Sequence, residues 1–450
     1  MPESAVPTGS GGRVEGLAYA TRLSPLYIAT MFVRVSFGIS AVVFFRFLDV
    51  GDPSQGHLTS FALFGLVVAA SPAAELLCVS PVGVYIDTHS RNRMLLIGLL
   101  VAALSMFLAP LSKHPGWAAT IHVMHGSAAA MILVTSLALM GDFAHKESRG
   151  REMGIFDAVN LFGWITGFAA GFFFTAVLGN GPYLWLAFIV AAGLLIAGFI
   201  YGYLRLVEPA VRKKSYVSLM TTVRLLTEKK MFLLVMPWFA LYIVIGAALG
   251  FLPEGQNTLA IDPYLFAAAV FGIGVGLTLT QAYFGKLSDQ HGRGRMMLIG
   301  AIGLGGVMAV IGAAVVQSVP SGTPSKEAFD YLRAFLAGGV DPGGVTQPPH
   351  YVHLALLGIL GICALAFAPA ALASLVDHSN DENRGTTMAV YSFVITLGMI
   401  IGPIVVGWIY EVFHAIGCMS FVIAMGVAMF VFTVYKFADE RRNAKPTHPE

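Results

Sequence analysis

The sequence predicts an all-α polytopic membrane protein, with twelve transmembrane helices in two pseudo-symmetric six-helix bundles. Three observations predict it. First, 56% of the 450 residues are hydrophobic and only 12% are charged, about half the charged share of a soluble domain, so the chain cannot face water all round. Second, the apolar residues fall in long runs, each able to cross roughly 30 Å of hydrocarbon as a helix of about 20 residues. Third, a charged segment recurs. Gly83-x3-Asp87-x3-Arg91-x-Arg93-Met94-x-Leu96-Ile97-Gly98 returns in the second half as Gly285-x3-Asp289-x3-Arg293-x-Arg295-Met296-x-Leu298-Ile299-Gly300. Such a repeat decides the architecture before any local reading does.

Residues 1–24 are polar, rich in Pro, Gly and Ser, and are expected to be a disordered tail. They show no signal-peptide pattern, because the apolar run that follows is too long and lacks a small-residue cleavage site. Spans at 25–47, 58–86, 93–112, 117–141, 153–178 and 183–205 form an N-terminal bundle, 25–205. A linker, 206–230, carries Arg212, Lys213, Lys214, Arg224, Lys229 and Lys230, and its Tyr216 to Leu226 stretch is expected to lie on the membrane as an interfacial helix. Spans at 231–253, 262–288, 295–317, 352–376, 387–411 and 414–437 form the C-terminal bundle, 231–437, and 438–450 is a second tail. Only helices satisfy their own backbone groups in lipid at these lengths. The second half is longer by an external insertion, 318–351, in which Phe329 to Phe335 is expected to form a short surface helix. An insertion in an exposed loop costs the fold little.

Twelve spans place both termini on one side. Of the 27 basic residues, only Arg46, Lys113, Lys326 and Arg333 fall on the opposite side, and Arg34 lies inside span 1. The asymmetry predicts cytoplasmic termini, in a plasma or inner membrane. A net charge of +2 implies no nucleic-acid partner; the bilayer and a small molecule are the partners expected, and the chain is expected to be monomeric. Cys78, Cys363 and Cys418 lie in apolar runs without metal or disulfide spacing, and read as small buried hydrophobes. Gly272-x-Gly274-x-Gly276 sits within a hydrophobic helix with no preceding strand, so it is not a nucleotide loop. With no Walker loop, zinc-ligand motif or nucleophile elbow, no cofactor is expected, and the sequence argues against an ATP-driven pump and a membrane enzyme.

A second repeat accompanies the first: Asp142-x6-Arg149-Gly150-x2-Met153 after span 4 and Asp377-x6-Arg384-Gly385-x2-Met388 after span 10. At the hinges, Gly83 and Gly285 would let another helix approach closely where spans 2 and 8 leave the membrane. Asp87 and Asp289 are then placed to meet the positive N-terminal ends of spans 11 and 5, each from the opposite half. Arg91, Arg93, Arg293 and Arg295 would hold those carboxylates, with Asp142 and Asp377, in a network that closes one side of the membrane. The bland alternative is that the arginines only fix topology.

Twelve helices with these paired hinges and Asp-x6-Arg-Gly loops resemble the major facilitator superfamily of transporters, across the whole chain outside the termini and the 318–351 insertion. The family's first hinge usually has Gly before its first Arg; here Ser90 stands there, which implies a small loss of turn flexibility, whereas Gly292 keeps the pattern in the second copy. The resemblance implies a substrate site at mid-membrane and two halves that rock to give alternating access.

Ionisable groups inside spans are functional-site hypotheses by default. Glu75 lies mid-span, roughly 18 Å along the helix from Asp87, and Arg34 is at comparable depth. Glu75 is expected to bind a proton or a cationic substrate group with Arg34 tuning it, the alternative being a static ion pair. His122-x2-His125-Gly126 stands where drug-proton antiporters of the superfamily resemble Arg-x-x-Gln-Gly, with His122 at the Arg position, so it would either relay protons or be a neutral hydrogen-bonded group. Asp157 and Asn160 are read near the cytoplasmic face, Asp157 favouring its helix start. Gly163-x3-Gly167-x3-Gly171 and Gly398-x3-Gly402-Pro403-x3-Gly407 read as small-residue seams for close packing. Pro72, Pro81, Pro237 and Pro369 are expected to kink their helices. Trp238 and Tyr242, four apart on one face, with Thr278, Thr280 and Gln281, are candidates to line the cavity, the alternative being plain packing.

The function expected is secondary active transport of small molecules, proton-coupled and directed outward. The rivals are an ion-independent facilitator or symporter for a small polar metabolite, and, from another class, a non-transporting receptor or scaffold.

Overall fold

The computed structural model describes residues 11–51, 56–143, 149–179, 182–208, 224, 226–258, 262–320, 325–377 and 384–443. Spans 1 to 6 are the helices Gly11–Phe47, Phe61–Thr88, Arg91–Leu108, Pro115–Phe143, Arg149–Leu178 and Trp185–Arg205. Spans 7 to 9 are Lys229–Thr258, Pro263–His291 and Arg293–Ser318. Span 10 is broken into Tyr351–Ala364 and Phe367–Asp377. Pro369 falls in the first turn of the second piece, where a missing N–H costs nothing. Pro72, Pro81 and Pro237, by contrast, lie inside unbroken helices. Spans 11 and 12 run as Arg384–Asn443, divided at His414, whose φ of 50° and ψ of −156° are not helical.

Two boundaries differ from expectation. The first helix begins at Gly11, so residues 11–24 extend span 1 and are not disordered tail. Leu23 is buried, and the Ser24 hydroxyl meets that of Tyr201 at 3.0 Å, which ties this extension to span 6. The last helix likewise runs to Asn443, past the expected end of span 12, and Lys229 donates to Asp439 at 2.7 Å. The expected interfacial helix, Tyr216 to Leu226, lies almost wholly outside the described residues. In the external insertion, the helix Ser325–Ala337 contains the predicted stretch. Leu332 and Phe335 are buried against Ala314 and Met419, seating it on spans 9 and 12. A two-residue antiparallel pairing, Gly339–Val340 with Thr346–Gln347, follows it.

Each half has its own apolar core, and both glycine seams pack as expected. A Cβ on Gly163 would lie 2.9 Å from the Met31 carbonyl oxygen, and one on Gly171 would lie 2.7 Å from the Val42 side chain, so span 5 seats directly on span 1. Gly398 and Gly402 meet Tyr242, Ile243 and Ala247 in the same way, seating span 11 on span 7.

Hydrogen bonds and ring contacts join the halves from mid-membrane to the end remote from the two hinges. The tilted rings of Phe61 and Tyr410 pack at 4.2 Å, Phe172 meets Phe266 at 4.7 Å, and Arg46 donates to Gln256 at 3.3 Å. The hinge end differs: a Cβ on Gly83 or Gly285 would meet none of the described residues within 4 Å, and Val84 and Tyr283 are mostly exposed. The halves are thus closed at the far end and parted at the hinges. Among the described residues, none makes the close approach expected at Gly83 and Gly285 in this conformation.

Candidate functional site

The seam between spans 1 and 5 places the central site. Gly163 admits the Cβ of Arg34, 2.9 Å from where its own Cβ would be, and Asn160 and Trp164 flank it on the same face of span 5. Arg34 is 8% exposed. Its Nη1 and Nη2 donate to the two carboxylate oxygens of Glu75, each at 2.9 Å, and its Nε donates to Asn160 Oδ1 at 2.7 Å. The Trp164 ring lies 5.3 Å from the guanidinium carbon, within cation–π range. A two-point, charge-assisted fork of this kind is the strong form of carboxylate recognition. Arg34 therefore has three anchors, and Glu75 is one of them.

The pair faces a cavity of about 40 Å³ between the halves. Its first-half wall is Arg34, Phe37, Ser71, Pro72, Glu75 and Trp164, and its second-half wall is Ile395, Thr396 and Met399 of span 11. That is room for a few waters or a small group; a drug-sized ligand needs several hundred Å³. Every charge in the wall belongs to the first half.

The histidines sit toward the far end of span 4. His125 Nε2 meets Ser36 Oγ at 2.8 Å, while Ser36 donates to the Val33 carbonyl at 2.9 Å, so Nε2 is the protonated nitrogen that donates to Ser36. His122 is buried between Phe37 and Phe44, at 5.8 and 5.2 Å, and neither ring nitrogen has a hydrogen-bond partner among the described residues. It makes no hydrogen bond to the Arg34–Glu75 pair, and among the described residues none supplies the hydrogen bond that one sequence reading allowed.

The second-half candidates are placed differently. Trp238 is 4% exposed in the core of the second bundle, stacked on Tyr242 at 5.6 Å and edge-on to Phe367 at 6.2 Å. The pair packs and does not line the cavity. Thr278 donates back to the Gly274 carbonyl of its own helix. The side chains of Gln281 and Asp157 lie outside those described. Asn160, Trp164, Ser71 and Thr396 are the site residues whose role sequence reasoning missed. The one available signal was the four-residue spacing of Asn160 and Trp164 beside the glycine seam.

At the hinges, Arg91 is buried, donates to Asp142 and to the Ala138 carbonyl, and stands 3.9 Å from Asp87. Arg293 pairs with Asp289, donates from Nε to Asp377 at 3.0 Å and from Nη1 to Ser288 at 2.7 Å. Among the described residues, each network's pairs lie within its own half, whereas the sequence reading carried Asp87 and Asp289 across to spans 11 and 5. The physical reason is the parting of the halves at this end. Arg93 and Arg295 are exposed. The side chains of Arg149 and Arg384 lie outside those described.

Two half-bundles of six spans, joined from a central buried ion pair to one end and parted at the other, form the kind of architecture that alternating access uses. The chain belongs to the Major Facilitator Superfamily, whose family model matches residues 23–325 and 258–450. It is similar to Multidrug resistance protein 2 of Bacillus subtilis (strain 168), 26% identical over 144 residues, which are 32% of this chain and 36% of that one. This chain therefore aligns with only about a third of that relative's length. It is also similar to the Proton-coupled antiporter flippase LtaA of Staphylococcus epidermidis, 22% identical over 91% of this chain and 93% of that one. Among solved structures, a bacterial homolog to the human lysosomal transporter Spinster, in an inward-facing and occupied conformation, matches with TM-score 0.66 and 14% identity, covering 96% of this chain and 98% of that one. The nucleoside transporter NupG matches with TM-score 0.62 and 13% identity, covering 92% and 98%. The chain is a multi-pass membrane protein of this family, and the family and these structural neighbours are transporters and not enzymes.

Proposed function

We propose that the protein is a proton-coupled secondary transporter that exports a small molecule, with Glu75 carrying the proton and Arg34 tuning it. One observation carries the reading: the Arg34–Glu75 pair lies at mid-membrane on a cavity walled by both halves. Arg34 keeps Asn160 and Trp164 when Glu75 lets go, so Glu75 is the member free to take a proton or a substrate cation. Outward transport is supported by relatives named for multidrug resistance and for proton-coupled antiport. With the termini cytoplasmic, as the Lys and Arg asymmetry indicates, the parted hinge end makes this the cytoplasm-open state.

A thermal-shift screen of metabolites and drugs at pH 6 and pH 8 supplies a ligand, since whatever binds the folded state raises its apparent stability. In proteoliposomes loaded with a pH-sensitive dye, that ligand should drive proton movement, and Glu75→Gln should abolish it while the protein stays folded. Unchanged proton flux in the variant removes Glu75 as the carrier. The facilitator reading has an observation of its own: an intact, net-neutral Arg–Glu pair suits a zwitterionic substrate. It predicts ligand flux with no proton movement.

A further inference from the structure

Glu411 stands in the last turn of span 11 and reaches across to the other half, where its carboxylate accepts the backbone N–H of Ala62 at 3.1 Å. Ala62 lies in the first turn of span 2, so its N–H is one of the four that a helix start leaves unbonded. The helix's own cap, Ser60, accepts a different one, from Leu63, at 3.3 Å. Gly407 makes the approach possible. It lies one turn before Glu411 on the same face, and a Cβ there would fall 2.7 Å from the Phe61 carbonyl oxygen. The Tyr410 ring covers the join against Phe61.

A carboxylate is disfavoured at the C-terminal end of its own helix and favoured at the start of another. Spans 2 and 11 run antiparallel, so the last turn of each lies at the membrane end where the other begins. Asp87 holds in span 2 the place that Glu411 holds in span 11: the last turn, at the end where span 11 starts with Arg384. Among the described residues, Asp87 has in this conformation only a distant contact to Arg91 at the start of span 3, at 3.9 Å, beyond hydrogen-bond length.

We propose that Glu411 is a positioning residue for transport: a far-end latch that closes the outer side by capping span 2, reciprocal to Asp87 capping span 11. Halves that pivot about the mid-membrane seams separate one pair as they join the other. Each swing exchanges one charge-assisted hydrogen bond for another, which keeps the two end states close in free energy, as a cycle requires. The inference rests on the alternating-access reading but not on proton coupling at Glu75.

The test is pulsed EPR on the full chain in lipid nanodiscs, its three native cysteines replaced by alanine. One pair of spin labels at Leu58 and Leu265 reports the far end, and another at Val84 and Tyr283 reports the hinge end. All four positions are more than half exposed. Glu411→Ala should move the population about tenfold toward far-end-open, hinge-closed distances, the effect of losing one hydrogen bond to a charged group. Glu411→Gln should fall between, and Asp87→Asn should move the ratio the opposite way. Gly407→Val, which breaks the same join by bulk, should act like Glu411→Ala and keeps the test open if the alanine variant fails to fold. Unmoved distances in the Glu411 and Gly407 variants overturn the latch, as do shifts in the same direction from Glu411→Ala and Asp87→Asn. Proton flux that survives Glu75→Gln overturns only the coupling and leaves these distances as expected.

Discussion

Arg91 in the first hinge is 1% exposed and pairs with an Asp142 that is 2% exposed, whereas Arg293, at the same motif position in the second, is 26% exposed with an Asp377 that is 54% exposed. The turns before them differ too. Ser90 takes φ −64° and its hydroxyl caps span 3 by accepting from Arg93 N–H at 3.3 Å, while Gly292 takes φ +91° and offers no side-chain cap. The first hinge holds a buried apolar cluster of Val82, Ile86 and Met94, with Ala138 packed against it. In the second copy Ser288 takes the place of Ile86 and bonds to Arg293. One motif has become a dry clamp in the first half and a solvated, re-formable pair in the second. A repeated sequence thus specifies partners, and the packing around them decides what the partnership is worth.

The comparison can be broken by stability measurements on the purified protein. Arg91→Ala takes the paired arginine from a buried Asp142 carboxylate, and a loss of roughly 3–5 kcal/mol is expected, seen as a large drop in Tm or in folded yield. A loss below about 1 kcal/mol would mean the first hinge is as solvated as the second. Gly292→Ala places a side chain in a positive-φ conformation and should cost roughly 1–2 kcal/mol, whereas Ser90→Gly should cost only a few tenths. Ser90→Ala, which removes the cap of span 3, should cost about 1 kcal/mol in denaturant titration, and no change would mean the cap is idle. Against the several kcal/mol of Arg91→Ala, Arg293→Ala should cost under about 1 kcal/mol, because its carboxylate partners Asp289 and Asp377 are solvated. A loss matching that of Arg91→Ala would erase the distinction between the hinges.

Ser90 also corrects a reading of the sequence. Its departure from the family's Gly suggested a stiffer turn, but the backbone there has negative φ, which any residue adopts, and Ser adds a cap that Gly lacks. Only at Gly292 does the turn need glycine. Glu75 and Arg34 were legible as partners because a charge in lipid must find an opposite one. Asn160 and Trp164 were not, because a polar or aromatic residue in a span has several satisfactory surroundings.

The sequence by itself determined the class, the spans, the two halves, the helix-packing seams and the central ion pair. Those follow from run length, repeat and the cost of unpaired charge, all of which are written along the chain. The tertiary structure alone decided which wall of the cavity each span supplies, that Trp238 belongs to a core, that the hinge networks stay within their halves, and that Glu411 meets Ala62. The physical reason is that a membrane helix is apolar on every side. In water, an amphipathic stripe fixes which face a helix turns inward. In lipid no such stripe is needed, so the rotation of each helix is set by small-residue contacts with its neighbours. Those contacts exist only once the bundle has assembled and one end has closed.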